Sequence, residues 1–311
     1  MTVREAIVRG TALLKDAGVA TPVLDASLLL ADILNIDSAG LILAGPEPLD
    51  EADFRRFERS LERRMDGECA AYILGRKEFR GLDFIVTADV LVPRPDTETL
   101  VEAALARIDE LALTRAGGDP DGALPFPSPV TLLDLCTGSG ALAVSLKHER
   151  PALRVYASDI SGKALTVARK NAAKILQSIT GGAPSVSFIE SDLFDRIGGD
   201  TVPDFPGPPR FDLIVSNPPY VPTSVLAALS PEVRREPRLA LDGGKDGLDL
   251  IRRSIAGAPP FLTPGGTLLM EADPNQMAAA ACILEDRGYS DIQMYKDLAG
   301  RMRVIGGRFP A

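Results

Sequence analysis

From Val130 onward the sequence alternates short apolar strands with helical stretches, and few folds accept that alternation. The strand-like runs are VTLLDLC (130–136), RVYASD (154–159), VSFIESD (186–192), FDLIVSN (211–217) and GTLLMEA (266–272). SGALAVSLKHE and SGKALTVARKNAAKILQ, between the first three, have helical composition. The pattern predicts an α/β domain: a parallel sheet with helices on both faces. YSDIQMYKDLAGRMRVIGGR (289–308) departs from it, with two strands around a Gly-containing turn, and predicts an antiparallel hairpin at the sheet edge.

The chain before Val130 reads differently. Residues 1–72 are helical by periodicity, with segments near the N-terminus, after Thr21-Pro22 and from about Asp50. In the third, Phe54, Phe57, Leu61 and Met65 share a face. Arg55, Arg56, Arg59, Arg63 and Arg64 mix with acids on the other, which predicts a solvated face of i,i+4 pairs. A docking face for an acidic partner is the alternative. Residues 73–93 carry a short β-hairpin linker, and 94–311 form the α/β domain, opened by a helix from PRPDTETLVEAALARI. Residues 112–129, rich in Gly and Pro, predict a surface loop, and Gly181–Ser185 and Gly198–Arg210 predict loop insertions.

Composition narrows the chemistry. The 311 residues include one histidine, His148, in a polar stretch ending a helix, so no imidazole-based mechanism is expected. The three cysteines are far apart and fit no metal-ligand spacing. A formal net charge of -9 argues against a nucleic acid partner. The N-terminus lacks the apolar stretch of a signal peptide, and no run of about 18 apolar residues predicts a membrane span. A cytoplasmic protein is expected.

Four motifs fall at the C-terminal ends of strands, where parallel sheets bind ligands. Asp134-Leu-Cys136-Thr137-Gly138-Ser139-Gly140 is a strand-to-helix glycine loop; it suits close approach of a nucleotide-type ligand, or is a plain tight turn. Asp159, about 20 residues beyond, suits two ribose hydroxyls, or caps the next helix. Ser191-Asp192-Leu193-Phe194 suits the flanks of an adenine ring, or ends the strand with a cap. Asn217-Pro218-Pro219-Tyr220 is a stiffened corner after an apolar strand.

Five stretches, TPVLDASLLLADIL, GRKEFRGLDFIVTADVLVPRPDTETLVE, LLDLCTGSGALAVSL, VSNPPYVP and EPRLALDGGKDGLDLIRR, resemble the release-factor glutamine methyltransferases, the PrmC/HemK family, over nearly the whole chain. NPPY alone is shared with adenine and cytosine amino-methyltransferases; VPRPDTE and EPRLAL are more specific. The resemblance implies a small N-terminal helical domain and a seven-stranded, class I (Rossmann-like) methyltransferase domain. It implies S-adenosyl-L-methionine contacts at Cys136–Gly140, Asp159, Asp192, Leu193 and Asn217. It also implies that Asn217, Pro218, Pro219 and Tyr220 hold a substrate amide, that of glutamine in the Gly-Gly-Gln motif of class I peptide-chain release factors, gripped partly by the helical domain. Relatives often carry Gly at position 136, an aromatic at 193 and Gly at 272, where this chain has Cys136, Leu193 and Ala272.

An amide nitrogen is a poor nucleophile because its lone pair is delocalised. Two acceptors out of the amide plane, the Asn217 Oδ1 and the Pro218 carbonyl, would hold both N–H bonds and aim the lone pair. Tyr220 would pack on the substrate side chain. Orientation then supplies much of the rate. The other substrates for this chemistry are a ribosomal protein glutamine and an adenine amine in nucleic acid. A non-catalytic cofactor-binding protein is the rival from another class; the intact glycine loop and Asn217 argue against it.

Overall fold

A computed structural model describes residues 1–117, 129–180, 186–198 and 208–310. Five helices come first: α1 (Val3–Asp16), α2 (Pro22–Leu34), α3 (Ser38–Leu43), α4 (Glu51–Met65) and α5 (Ala70–Leu74). Local chemistry sets their ends. Thr2 and Glu5 form a reciprocal capping box on α1, Asp50 accepts from the Ala52 N–H at the start of α4, and Gly75 (φ 71°) ends α5. Leu29, Leu30, Phe57 and Leu61 are buried in their shared core.

The acidic and basic face of α4 is not uniformly solvated. Arg55, Arg56 and Arg63 are exposed as expected, but Arg64 is only 2 % exposed. Its Nε meets Asp25 Oδ2 at 2.7 Å and its Nη2 meets Glu232 Oε1 at 2.6 Å, so one guanidinium ties α4 to α2 and to the α/β domain. Periodicity assigned Arg64 to a face, but a partner 168 residues away is invisible to it.

The hairpin pairs β1 (Arg76–Phe79) with β2 (Leu82–Ile85) around a two-residue turn, Arg80-Gly81, both at positive φ. Asn171 fastens it to the α/β domain: its amide accepts from the Ile85 N–H at 2.7 Å and donates to the Ile85 and Ser139 carbonyls. A 3₁₀ turn (Pro95–Thr97) leads into α6 (Glu98–Gly117). The helix therefore continues six residues into the segment expected as loop from 112, because no Gly or Pro interrupts it before Gly117. The remaining expected loops, 118–128, 181–185 and most of 198–210, lie outside the described residues.

The main sheet contains β3 (Thr131–Leu135), β4 (Arg154–Asp159), β5 (Val186–Glu190), β6 (Phe211–Ser216), β7 (Leu262–Glu271), β8 (Ser290–Lys296) and β9 (Met302–Arg308), in the order β5-β4-β3-β6-β7-β9-β8. Strands β3 to β7 pair in parallel; β9 is antiparallel to β7, and β8 to β9, the expected edge hairpin. Helices α7 (Ala141–Glu149), α8 (Gly162–Thr180), α9 (Pro231–Arg234), α10 (Asp249–Gly257) and α11 (Met277–Asp286) complete the chain. Leu132 and Val155 face the core under α6 to α8, whereas Leu133 and Tyr156 face the core under α10 and α11. Burial on both faces explains the continuous apolar runs. The strand order reverses between β3 and β6, which opens a crevice at their carboxyl ends. No helix among the described residues is long and apolar enough to cross a membrane.

Arg64→Leu leaves Asp25 buried without its charge partner. We expect a loss of about 3–5 kcal/mol in denaturant unfolding; an unchanged midpoint and slope would show that the buried pair contributes nothing.

Candidate active site

The crevice holds a cavity of about 220 Å³ that opens to solvent at its mouth. Cys136, Thr137, Gly138, Ser139, Asp159, Asp192, Leu193, Asn217 and Pro219 all line it. Gly140, Pro218 and Tyr220 do not.

The glycine loop is pulled back onto the end of β3. Asp134, fully buried, accepts the Thr137 hydroxyl at 2.6 Å and the Ala143 N–H at 3.2 Å through Oδ2; its Oδ1 has no partner among the described residues. Burial pushes its carboxyl up to about 7, against the opposing pull of those two bonds. Cys136, Gly138 and Gly140 all adopt positive φ. At Gly138 a Cβ would meet nothing within 4 Å; it would project into space that the bare backbone leaves open.

The cap of α8 falls on Ser161, whose Oγ accepts the Ala164 N–H at 3.2 Å. Asp159 takes one N–H per oxygen, from Gly138 and Ser161, each at 2.9 Å, and keeps lone pairs for further donors. Burial raises its pKa, partly offset by these bonds. Asp192 pairs with Arg253 at 2.9 Å, while Leu193 is buried at φ 48°.

The Asn217–Tyr220 corner follows β6, whose six residues are all buried. The Asn217 Nδ2 donates to Thr97 Oγ1 at 3.0 Å, which leaves Oδ1 as its acceptor. Pro218 is buried. The Tyr220 hydroxyl donates to Glu271 Oε1 at 2.9 Å, and its carbonyl accepts from Gln276 Nε2 at 2.8 Å, so its polar groups brace the corner from behind. Burial, with the Glu271 charge, raises the tyrosine pKa. The 241–247 loop packs directly against the corner: Val221 donates to the Leu241 carbonyl at 2.9 Å and Gly243 to that of Val221 at 2.8 Å. A Cβ on Gly247 would lie 2.2 Å from the Tyr220 oxygen, at φ +76°.

Residues without a role assigned from sequence complete the wall. Val90, Leu91, Pro93, Arg94 and Thr97 come from the stretch around VPRPDTE, and Pro237, Leu239, Ala240 and Asp242 from the EPRLAL stretch. Arg94 and Glu236 form an ion pair, and Glu236 also accepts the Val92 N–H at 3.2 Å, so the two stretches are clipped together. Their family-specific sequence was the available signal; their pairing was not.

Comparison with known proteins fits this architecture. A model described as the PrmC N-terminal domain matches residues 5–75, and one described as a methyltransferase small domain matches residues 123–229. The hMettl16 catalytic domain, solved in complex with a 3'UTR hairpin, aligns with a TM-score of 0.52 at 11 % identity, covering 84 % of this chain and 83 % of that one. Fold and cavity thus define a Rossmann-like methyltransferase. A release factor glutamine methyltransferase of Burkholderia pseudomallei is 42 % identical over 92 % of both chains, and one of Moorella thermoacetica 40 % identical over 98 % of both. This chain belongs to the release factor glutamine methyltransferase family.

Gly247→Ala forces a side chain into the Tyr220 carbonyl at a backbone angle disfavoured for alanine. We expect about 1–3 kcal/mol of destabilisation, read by thermal unfolding, together with loss of methyl transfer; a fully active variant would show that the corner tolerates displacement.

Proposed function

We propose that this enzyme methylates the side-chain amide nitrogen of glutamine in the Gly-Gly-Gln motif of a class I peptide-chain release factor, in the cytoplasm, with S-adenosyl-L-methionine as donor. One observation carries the reading: Asn217 and Asp159 line the same cavity, at the carboxyl ends of β6 and β4, the two strands that flank β3.

The residues present fit that donor. Asp159 has lone pairs left for two ribose hydroxyls. The open space over Gly138 suits a ligand lying against bare backbone. Ile160 and Leu193 offer apolar surface for an adenine. Cys136, Thr137, Ser139 and Asp192 complete this end of the cavity. When bound, the donor supplies an activated methyl group on a sulfonium.

The chain's own residues do the rest by orientation. Asn217 Oδ1 and the Pro218 carbonyl accept the two N–H bonds of the substrate amide and point its nitrogen lone pair along the cavity. Pro219 brings no N–H to compete and stiffens the turn. Tyr220 holds the corner rigid through Glu271 and Gln276. The methylated nitrogen is acidic enough to release a proton without a dedicated base, consistent with a site that contains no histidine.

Asn217→Ala should bind S-adenosylmethionine normally and lose about 10²-fold or more in methyl transfer; transfer at the parent rate contradicts the amide role. Asp159→Ala should weaken binding of the same compound in calorimetry, and unchanged affinity removes the ribose assignment. Labelled methyl groups offered with purified release factor, ribosomal protein and nucleic acid should appear on the release factor. Label on nucleic acid alone ends the glutamine proposal.

A further inference from the structure

Asp96 stands between two residues of the cavity wall region, in the turn before α6, without lining the cavity itself. Two arginines of the edge hairpin converge on it. Its Oδ2 meets Arg303 Nη2 at 2.8 Å, and its Oδ1 meets Arg301 Nη2 at 3.3 Å. Both guanidiniums also turn Nε to Asp297 Oδ2, at 2.9 Å from Arg301 and 3.3 Å from Arg303. Asp297 closes the β8–β9 connection as well, accepting the Arg301 N–H through Oδ1 at 2.9 Å. The Arg303 side chain is 11 % exposed and that of Asp297 5 %, so this cluster escapes much of the solvent screening that weakens exposed ion pairs.

Arg303 stands where both ends of the Asn217–Tyr220 corner are anchored. Thr97, next to Asp96, accepts from the Asn217 Nδ2 at 3.0 Å. On the other side, the Arg303 carbonyl accepts the Ala272 N–H at 3.0 Å, beside Glu271, which takes the Tyr220 hydroxyl. The turn that carries Thr97 is a 3₁₀ turn of three residues, Pro95–Thr97. Pro95 has no N–H, and a turn so short has little hydrogen bonding of its own to hold it. Arg94 and Glu236 tie it down on one flank. Asp96 ties it down on the other.

We infer that Asp96 and Arg303 are positioning residues for methyl transfer: their ion pair fixes the turn that carries Thr97, and Thr97 fixes the Asn217 amide. Neither side chain lines the cavity, so neither is placed to bind the donor. Their effect is on aim, and a misplacement of about 1 Å at a reacting group can cost about 10²-fold in rate.

This role rests on the amide clasp proposed above, and the test separates the two. The kcat for methylation of a purified release factor, the dissociation constant for S-adenosylmethionine and the thermal midpoint are measured for Arg303→Gln, Asp96→Asn, Thr97→Val and Asn217→Ala. The double variants that combine Thr97→Val with Arg303→Gln and with Asp96→Asn are measured beside them. Arg303→Gln and Asp96→Asn should each lower kcat about tenfold with cofactor affinity unchanged, and Thr97→Val about 10²-fold. Each double variant should be no slower than Thr97→Val alone, because the turn then has no hydroxyl left to place. A merely structural role predicts instead that the losses multiply. Parent-like kcat in Arg303→Gln or Asp96→Asn beside an inactive Asn217→Ala overturns the positioning role alone, as do multiplied losses in the double variants. An active Asn217→Ala overturns both proposals. If Arg303→Gln does not fold, Asp96→Asn and its double variant decide in its place.

Discussion

The corner at Asn217 is held from three directions before any ligand arrives. Strand β6 delivers it from a fully buried position between β3 and β7, so its starting point cannot drift. Thr97, from the turn before α6, takes the Asn217 Nδ2. Glu271 and Gln276, from β7 and the turn after it, take the Tyr220 hydroxyl and donate to its carbonyl. A planar amide can be aimed only by groups that do not themselves rotate, and proline rings with buried hydrogen bonds supply that rigidity. Little other machinery is required if the methyl donor arrives activated.

The rest of the α/β domain follows from placing this corner beside a nucleoside site. The sheet reverses order between β3 and β6, which puts the glycine loop and the corner on opposite walls of one crevice. Asp159 binds the loop at Gly138, so the two halves of the proposed cofactor site are braced to each other. The N-terminal helices are tied to this frame at α9 by Arg64 and Glu232, and again by Arg235 and Asp66 at 2.6 Å. Those contacts adjoin the EPRLAL stretch that lines the cavity. The helical part therefore meets the α/β part beside one wall of the cavity.

What could be read from sequence was what lies next to a strand end. The parallel sheet, the edge hairpin, the glycine loop, Asp159 and Asn217 each sit within a few residues of an apolar run whose direction the βαβ rule fixes. Thr97, Glu271 and Glu236 could not be read this way. Thr97 and Asn217 are 120 residues apart, and Tyr220, in the corner after β6, is 51 residues from Glu271 at the end of β7. Glu271 ends an apolar strand and gives no local sign that it is buried with a hydroxyl on it. Arg64 failed for a related reason: helical periodicity sorts residues into faces, whereas an ion pair across domains depends on tertiary placement. Tyr220, expected over the substrate side chain, instead spends its hydroxyl on Glu271, because a buried phenol needs a partner.

The central claim is that Asn217 presents its side-chain oxygen to a carboxamide nitrogen beside a bound nucleoside. The most direct measurement is a crystal structure of the complex with S-adenosylhomocysteine and a Gly-Gly-Gln peptide. The account predicts the glutamine amide within hydrogen-bonding distance of Asn217 Oδ1 and the Pro218 carbonyl, its nitrogen directed at the donor's sulfur. A glutamine held by other groups, with Asn217 turned away from it, would contradict the account.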